Sequence, residues 1–197
     1  MRQMIMVSMA CLSALVFPAV VGAGTYTFTP TPADLSDLDH NYYYTWRISW
    51  TIPANESIFG ASLFIDNINN WQVEPDILYI HLLDTASSGV RSYYDNEGGG
   101  DAFSGQGLLL TTFTDDDPNP NPSEDFLYTF TATDSQRLTQ YLADGRFAFG
   151  FDPDCHYYNS GVTFTINTQT VPEPVTALLA APAFALLRRA RNRRLAA

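Results

Sequence analysis

The chain has 197 residues, enough for one ordinary domain with terminal signals, and its formal net charge is −11. Half of its 10 basic residues fall within residues 188–194, so the rest of the chain is more acidic still. An acidic domain repels phosphates, and this charge excludes nucleic acid as a partner.

The first residues have the pattern of a secretory signal peptide. Arg2 gives a positively charged start, and a long apolar run follows it. Val21 and Ala23 supply the small side chains that precede a signal-peptidase cut, which we place between Ala23 and Gly24. We therefore expect residues 1–23 to form a signal helix that signal peptidase removes during export.

The middle of the chain alternates between apolar and polar residues with the period of a β-strand. In YYYTWRISWTI (42–52), Tyr44, Trp46 and Ile48 share one face, opposite Thr45. A period of two indicates a strand with one buried face. The same pattern predicts further strands, and the full set is 25–29, 42–52, 61–68, 76–84, 107–114, 125–132, 146–152 and 161–168.

One stretch has the spacing of a helix instead. Leu138, Tyr141 and Leu142 lie at i, i+3 and i+4, and Gly145 can end the helix. We predict one short helix at about 134–144. Many short strands joined by loops rich in Asp, Asn, Gly and Pro predict an all-β domain. We assign it to residues 24–168 as a β-sandwich, with jelly-roll connections as one arrangement.

Cysteine and histidine do not form a recognisable catalytic pattern. Cys155 is the only cysteine after the signal peptide, so no intramolecular disulfide can form in the mature domain. His156 is its neighbour, but adjacent residues of an extended chain point to opposite faces and do not readily form a dyad. We predict that the protein is not an enzyme and that no residue is catalytic.

Two acidic loops carry the oxygen ligands that Ca²⁺ prefers. In DDDPNPNPSED (115–125), acids and amides alternate, although the EF-hand pattern is not met. In FDPDCHYYN (151–159), two aspartates flank a proline beside the end of a strand. A solvated acidic turn is the alternative interpretation of such loops. The candidate calcium ligands are Asp115, Asp117, Asn119, Asp152 and Asp154.

Aromatic residues in or beside loops suggest a second kind of site. The candidates for stacking on sugar rings are Trp71, Tyr93, Tyr94, Tyr157 and Tyr158, and we select Trp71 and Tyr157 among them. Such stacking would make the domain a carbohydrate-binding module, with calcium as a stabilising ion. The ligand would then be a carbohydrate. Exposed aromatic residues without a function are the alternative.

The C-terminal residues 169–197 read as a linker followed by a membrane segment. Residues 175–187 are thirteen apolar residues, or about 20 Å of helix, which is short of the roughly 30 Å hydrocarbon core. Basic side chains after it can extend the span and favour a cytoplasmic C-terminus. We therefore predict a membrane helix flanked by Arg188, Arg189, Arg191, Arg193 and Arg194.

The order of these parts resembles the PEP-CTERM sorting signal. Pro172, Glu173 and Pro174 form the motif, followed by the apolar segment and the basic cluster at the chain end. The apolar segment is shorter than usual and contains Pro182. The resemblance implies processing of the tail by an exosortase, in proteins that accompany exopolysaccharide production in bacteria. A plain single-span anchor is the alternative.

Together these features predict an exported, non-enzymatic protein of the cell surface or extracellular matrix. It would be anchored transiently in the membrane through its C-terminal segment. A carbohydrate-binding module is the alternative function.

Overall fold

The computed structural model describes residues 23–71, 76–95, 99–115 and 123–171. They form a mostly-β domain with two antiparallel sheets, one of them curled into a half-barrel, and one 13-residue helix. In chain order the elements are β1 (Ala23–Phe28), β2 (Tyr42–Ser49), β3 (Glu56–Asn70), β4 (Asp76–Leu83), β5 (Gly89–Tyr94), β6 (Leu108–Asp115), β7 (Glu124–Thr129), α1 (Ala132–Tyr141) with a 3₁₀ turn at Leu142–Asp144, β8 (Arg146–Pro153), β9 (Tyr157–Tyr158) and β10 (Gly161–Thr170).

The strands are shared between two sheets. Sheet I has the order β1-β10-β3-β7, and β9 pairs with the end of β3. Sheet II has the order β5-β2-β8-β4-β6. The chain therefore changes sheet between β1 and β2, again between β2 and β3, and again between β3 and β4. Residues close in space are consequently far apart in sequence.

The inward faces of both sheets form one core. The residues that the alternating pattern placed together, such as Phe149 of β8 and Phe164 of β10, are buried. The centroids of these two rings lie 4.8 Å apart, with an edge-on geometry typical of aromatic pairs. Sheet I and sheet II therefore pack against each other through aromatic and branched side chains. These side chains come from alternate positions of each strand, as expected for strands with one buried face.

Each of the eight predicted strands is confirmed, and two strands were missed. β3 is longer than predicted, with 15 residues. β5 (GVRSYY) was missed because most of its residues are exposed, so no apolar alternation marks it. β9 has two residues, too few to give a period.

The predicted helix is confirmed, but it begins two residues earlier than 134. Thr131 is the N-cap: its hydroxyl accepts a hydrogen bond from the Asp134 amide, and the Asp134 carboxylate accepts one from the Thr131 amide. This capping box satisfies amides that have no partner within the helix. Gly145, at φ 80°, follows the 3₁₀ turn as predicted, because that conformation favours glycine.

A loop covers the outer face of sheet II. Phe103 packs there with Leu83 and Ala148 in a small second apolar cluster. His81 is also buried on this face, with its Nε2 3.1 Å from Asp101 Oδ2. The segment 99–107 therefore closes a face of sheet II that the core leaves uncovered.

Candidate functional site

An exposed aromatic surface lies at the end of β3 and β9. Trp71 directly follows β3, and its amide donates a hydrogen bond to the carbonyl of His156, 3.1 Å away. His156 and Tyr158 are two residues apart in an extended segment, so their side chains point to the same side. The three side chains share one outward face, and we call Trp71, His156 and Tyr158 the aromatic surface.

The rings of the aromatic surface contact each other in a row. The Trp71 and His156 centroids are 6.1 Å apart, and those of His156 and Tyr158 are 4.8 Å apart, both tilted by 46°. Trp71 is 50% exposed and Tyr158 is 41% exposed, the reverse of what their size favours. Two large apolar faces are thus available to a ligand.

Tyr157 is not part of this surface, which corrects its prediction as a stacking residue. Its relative exposure is 0%, and its ring packs edge-on against Phe113 in the core, 5.9 Å between centroids. Tyr157 pairs with Asn70 of β3, whose side chain is also buried. Neighbours along a strand alternate between faces, so the burial of Tyr157 turns Tyr158 outward.

A polar loop borders the aromatic surface. Leu38 forms an isolated bridge with Tyr157, which places Asp39 beside His156. The pKa of Asp39 lies below its ordinary value, chiefly because the Asn41 amide donates to its carboxylate; burial opposes this, and His156 is among the nearby groups that support it. The Asp39 carboxylate is therefore an ionised hydrogen-bond acceptor next to the rings.

His156 has one ring nitrogen with no partner. Its Nε2 is buried and makes no hydrogen bond among the described residues. Buried polar atoms are nearly always hydrogen-bonded in folded proteins, so this atom is an unusual feature of the aromatic surface. Since this atom is buried, a small molecule such as water is the partner that can satisfy it.

Asp115 and Asp152, from the two predicted calcium loops, lie on opposite faces of sheet II. Asp115 lies at the end of β6, two residues after the buried Phe113, and so on the inward side of sheet II. Asp152 lies on the outer face, where its Oδ2 accepts a hydrogen bond from the Ala102 amide at 2.6 Å. Asp117 and Asn119 lie outside the described residues.

Asp152 is buried among other acids. Burial is the main cause that raises its pKa to about 6, the Ala102 amide opposes the rise, and Asp95, Asp101 and Asp154 add to it. Like charges and loss of water both disfavour an ionised carboxylate. Ionisation of the Asp152 carboxyl group is therefore unfavourable in the folded protein.

Asp154 has a similar environment at the edge of the same loop. Its pKa is raised, first by burial and then by Asp76 and Asp101, against a hydrogen bond from the Gly100 backbone. In residues 23–71, 76–95, 99–115 and 123–171, no three His, Cys, Asp or Glu side chains lie together as metal ligands. Calcium at Asp152 and Asp154 stays a prediction.

The fold separates the side chains of Cys155 and His156, the two candidates for a catalytic pair. Cys155 is buried, whereas the ring of the neighbouring His156 lies with Trp71 in the aromatic surface. His81, which is buried, is held on the outer face of sheet II by Asp101. The structure thus assigns Cys155 to the core and His156 to the surface.

Most of the predicted sorting residues lie beyond the described chain. Ala23, before the predicted cut, is the first residue of β1 and pairs with Gln169, and Gly24 pairs with Thr168. Within the described parts of the chain, no helix is long and apolar enough to cross a bilayer. The residues outside the description are the motif Pro172, Glu173 and Pro174, and the basic Arg188, Arg189, Arg191, Arg193 and Arg194.

Sequence reasoning placed Trp71 and Tyr158 among the aromatic residues near loops, but it missed His156 and did not group Tyr158 with Trp71. His156 could have been found from its place two residues before Tyr158, since both then share a face. What placed Trp71 opposite them was the pairing of β9 with β3. No family model matches the chain, and no curated protein matches it.

Proposed function

We propose that the protein is an exported, non-enzymatic protein of the cell surface or extracellular matrix, sorted through its C-terminal segment. One observation carries the proposal: a signal-peptide pattern at 1–23 coincides with a Pro-Glu-Pro motif, an apolar segment and an arginine cluster at 172–194. Signal peptidase and an exosortase are the partners that process the chain. The C-terminal segment anchors the protein in the membrane transiently. The acidic domain would not bind nucleic acid.

The exported domain is, in this proposal, a β-sandwich of jelly-roll type. Support comes from the strand orders β1-β10-β3-β7 and β2-β8-β4-β6, to which β5 is added at the β2 edge. Every connection changes sheet except those from β4 through β5 to β6 and from β9 to β10. Such an interleaved order is what two successive Greek keys produce.

The sorting proposal is tested by replacing residues 172–174 with alanine in the producing cell. We expect the variant to keep its tail, so that its intact mass is higher than that of the mature wild type. Val171→Ala, immediately upstream, is the control and should be processed normally. Normal mass and normal location for the variant with three alanines would contradict the proposal.

A second candidate function, carbohydrate binding, is favoured by the aromatic surface. The C–H face of a sugar ring packs on an exposed aromatic ring, and Trp71 and Tyr158 offer two such rings in one row. Asp39 lies beside His156 and can accept a hydrogen bond from a sugar hydroxyl. An exopolysaccharide of the same cell is the ligand that the export route would present.

Carbohydrate binding is tested by co-sedimentation of the full-length chain with that exopolysaccharide. We expect Trp71→Ala to weaken binding at least tenfold, because stacking on a large ring is lost, and Tyr158→Ala to weaken it less. Phe59→Ala removes an aromatic ring of similar exposure, 57%, elsewhere on the surface and should leave binding unchanged. Equal binding by Trp71→Ala and wild type would exclude this site.

A further inference from the structure

Two carboxylates meet on the inward side of sheet II. Asp76 of β4 and Asp115 of β6 are directly opposed partners at the end of the sheet. Each is two residues from a buried core residue, Leu78 in β4 and Phe113 in β6, so both side chains point toward sheet I. Like charges placed opposite each other in a sheet are destabilising unless something neutralises them.

Sheet I contributes an amide that joins the two acids. The Asn70 backbone amide donates to Asp115 Oδ2 at 2.8 Å, and Asn70 Nδ2 donates to Asp76 Oδ2 at 2.8 Å. Asn70 is buried at the end of β3. We call Asn70, Asp76 and Asp115 the inter-sheet oxygen cluster, since it connects the two sheets at one end of the domain.

A buried hydroxyl without a partner faces this cluster. Tyr157 pairs with Asn70 across β9 and β3, so both side chains lie on the same side of the strand pair. The Tyr157 hydroxyl has no hydrogen-bond partner among the described residues, although the ring is fully buried. Burial raises its pKa, and the nearby Asp76, Cys155, Asp115 and Asp154 raise it further.

We propose that Asp76 and Asp115, which the N–H groups of Asn70 hold together, bind a divalent cation of the calcium type. Carboxylate oxygens are hard donors, the class that Ca²⁺ prefers, and waters would complete its shell. The ion would remove the repulsion between the acids. A water on the ion would donate a hydrogen bond to the Tyr157 hydroxyl oxygen, which has no partner among the described residues.

The inference differs from the calcium loops predicted from sequence. Of those candidates only Asp115 belongs to the inter-sheet oxygen cluster, and its partners come from β3 and β4 rather than from its own loop. The site uses two carboxylates, so it is compatible with the absence of a three-acid group among the described residues. It is independent of the proposed function.

The experiment is a titration of the full-length chain, first stripped with EGTA, with CaCl₂, followed by calorimetry and thermal unfolding. At a calcium concentration about a hundredfold above Kd, we expect Tm to rise by about 5–10 °C, because the ion binds only the folded state. Asp76→Asn should weaken calcium binding at least tenfold. Asp84→Asn, an exposed site just after β4 with the same change in charge, should keep the full response.

Tyr157→Phe gives a second readout that does not depend on the acids. It removes the unpartnered hydroxyl, so it should raise Tm in EGTA and reduce the rise that calcium produces. The proposal is overturned if calcium leaves Tm of the wild type unchanged. It is also overturned if the calcium response survives Asp76→Asn and Asp115→Asn but is lost in Asp152→Asn, since the ion would then lie on the outer face.

Discussion

The outer faces of the two sheets are covered in different ways. On sheet I, Thr27, Thr165, Ser62 and Thr129 form a row of small hydroxyl side chains across four strands, exposed or half-buried. On sheet II, the loop 99–107 covers the corresponding face with a second apolar cluster. One sheet therefore has a single buried face, and the other is buried partly on both.

The difference between the two sheets is visible in the residues that lie between the core residues of β10 and of β8. β10 has the sequence GVTFTINTQT, with threonine or asparagine between its buried residues. β8 has RFAFGFDP, in which the residues between the buried phenylalanines include Ala148 and Gly150, both buried. A strand covered on both faces loses its polar alternation, whereas a strand covered on one face keeps it. Small residues at the positions that are polar in a strand with one buried face thus indicate that the second face of the strand is covered as well.

The largest expected effect comes from substitutions in the core that the two sheets share. Phe149→Ala and Phe164→Ala each remove a fully buried ring from the common core, and each should lower the free energy of unfolding by about 3–5 kcal/mol. Leu127→Ala, at a residue 61% exposed on sheet I, is the control and should change it by less than about 0.5 kcal/mol. Chemical denaturation measures all three. A small effect at only one phenylalanine would show that the sheets do not share the core equally.

A smaller effect separates the two outer faces. A Cβ at Gly150 would lie 2.8 Å from the Phe103 ring, so Gly150→Ala should cost about 1–3 kcal/mol by overpacking. Thr165→Ala, on the outer face of sheet I, should cost less than about 0.5 kcal/mol. Phe103→Leu should relieve part of the Gly150→Ala defect in the double variant. If the two single variants were equally stable, the loop would not cover sheet II.

The smallest expected effect is a pH dependence of the free energy of unfolding that comes from Asp152, on the covered outer face of sheet II. The pKa of Asp152 is raised by burial to about 6 from an ordinary value of 3.8, so the folded protein takes up this proton before the unfolded chain does. The Asp152 contribution therefore makes the free energy of unfolding rise as pH falls from about 7 to about 4, by about 1–2 kcal/mol after allowance for residual solvation.

Asp152→Asn tests this sign. The amide can still accept the hydrogen bond from the Ala102 amide, but it carries no charge. We expect the variant to exceed the wild type in stability at pH 7 and to lose that advantage near pH 4. Denaturation of both proteins across this range gives the difference, which isolates Asp152 from the other titrating groups. A difference that does not vary with pH would contradict the assignment.

The sequence by itself determined the strands and their inward faces. Period-two alternation is a local property, so Trp46, Phe149 and Phe164 could be assigned to the core without knowing which strands are neighbours. The helix was determined equally well, because its spacing and its closing Gly145 are local too. The inward-facing Tyr157 was misassigned because a two-residue strand has no period from which to read a face.

Only the tertiary structure decided which distant residues meet. Trp71 joins His156 because β9 pairs with β3, and Asp76 meets Asp115 and Asn70 because β4, β6 and the end of β3 converge. The physical reason is the order of the sheets: their neighbours are non-consecutive strands, so a site at their ends combines residues with no common local pattern. The cover on sheet II arises in the same way, since Phe103 packs on Gly150 from a loop 47 positions earlier in the chain.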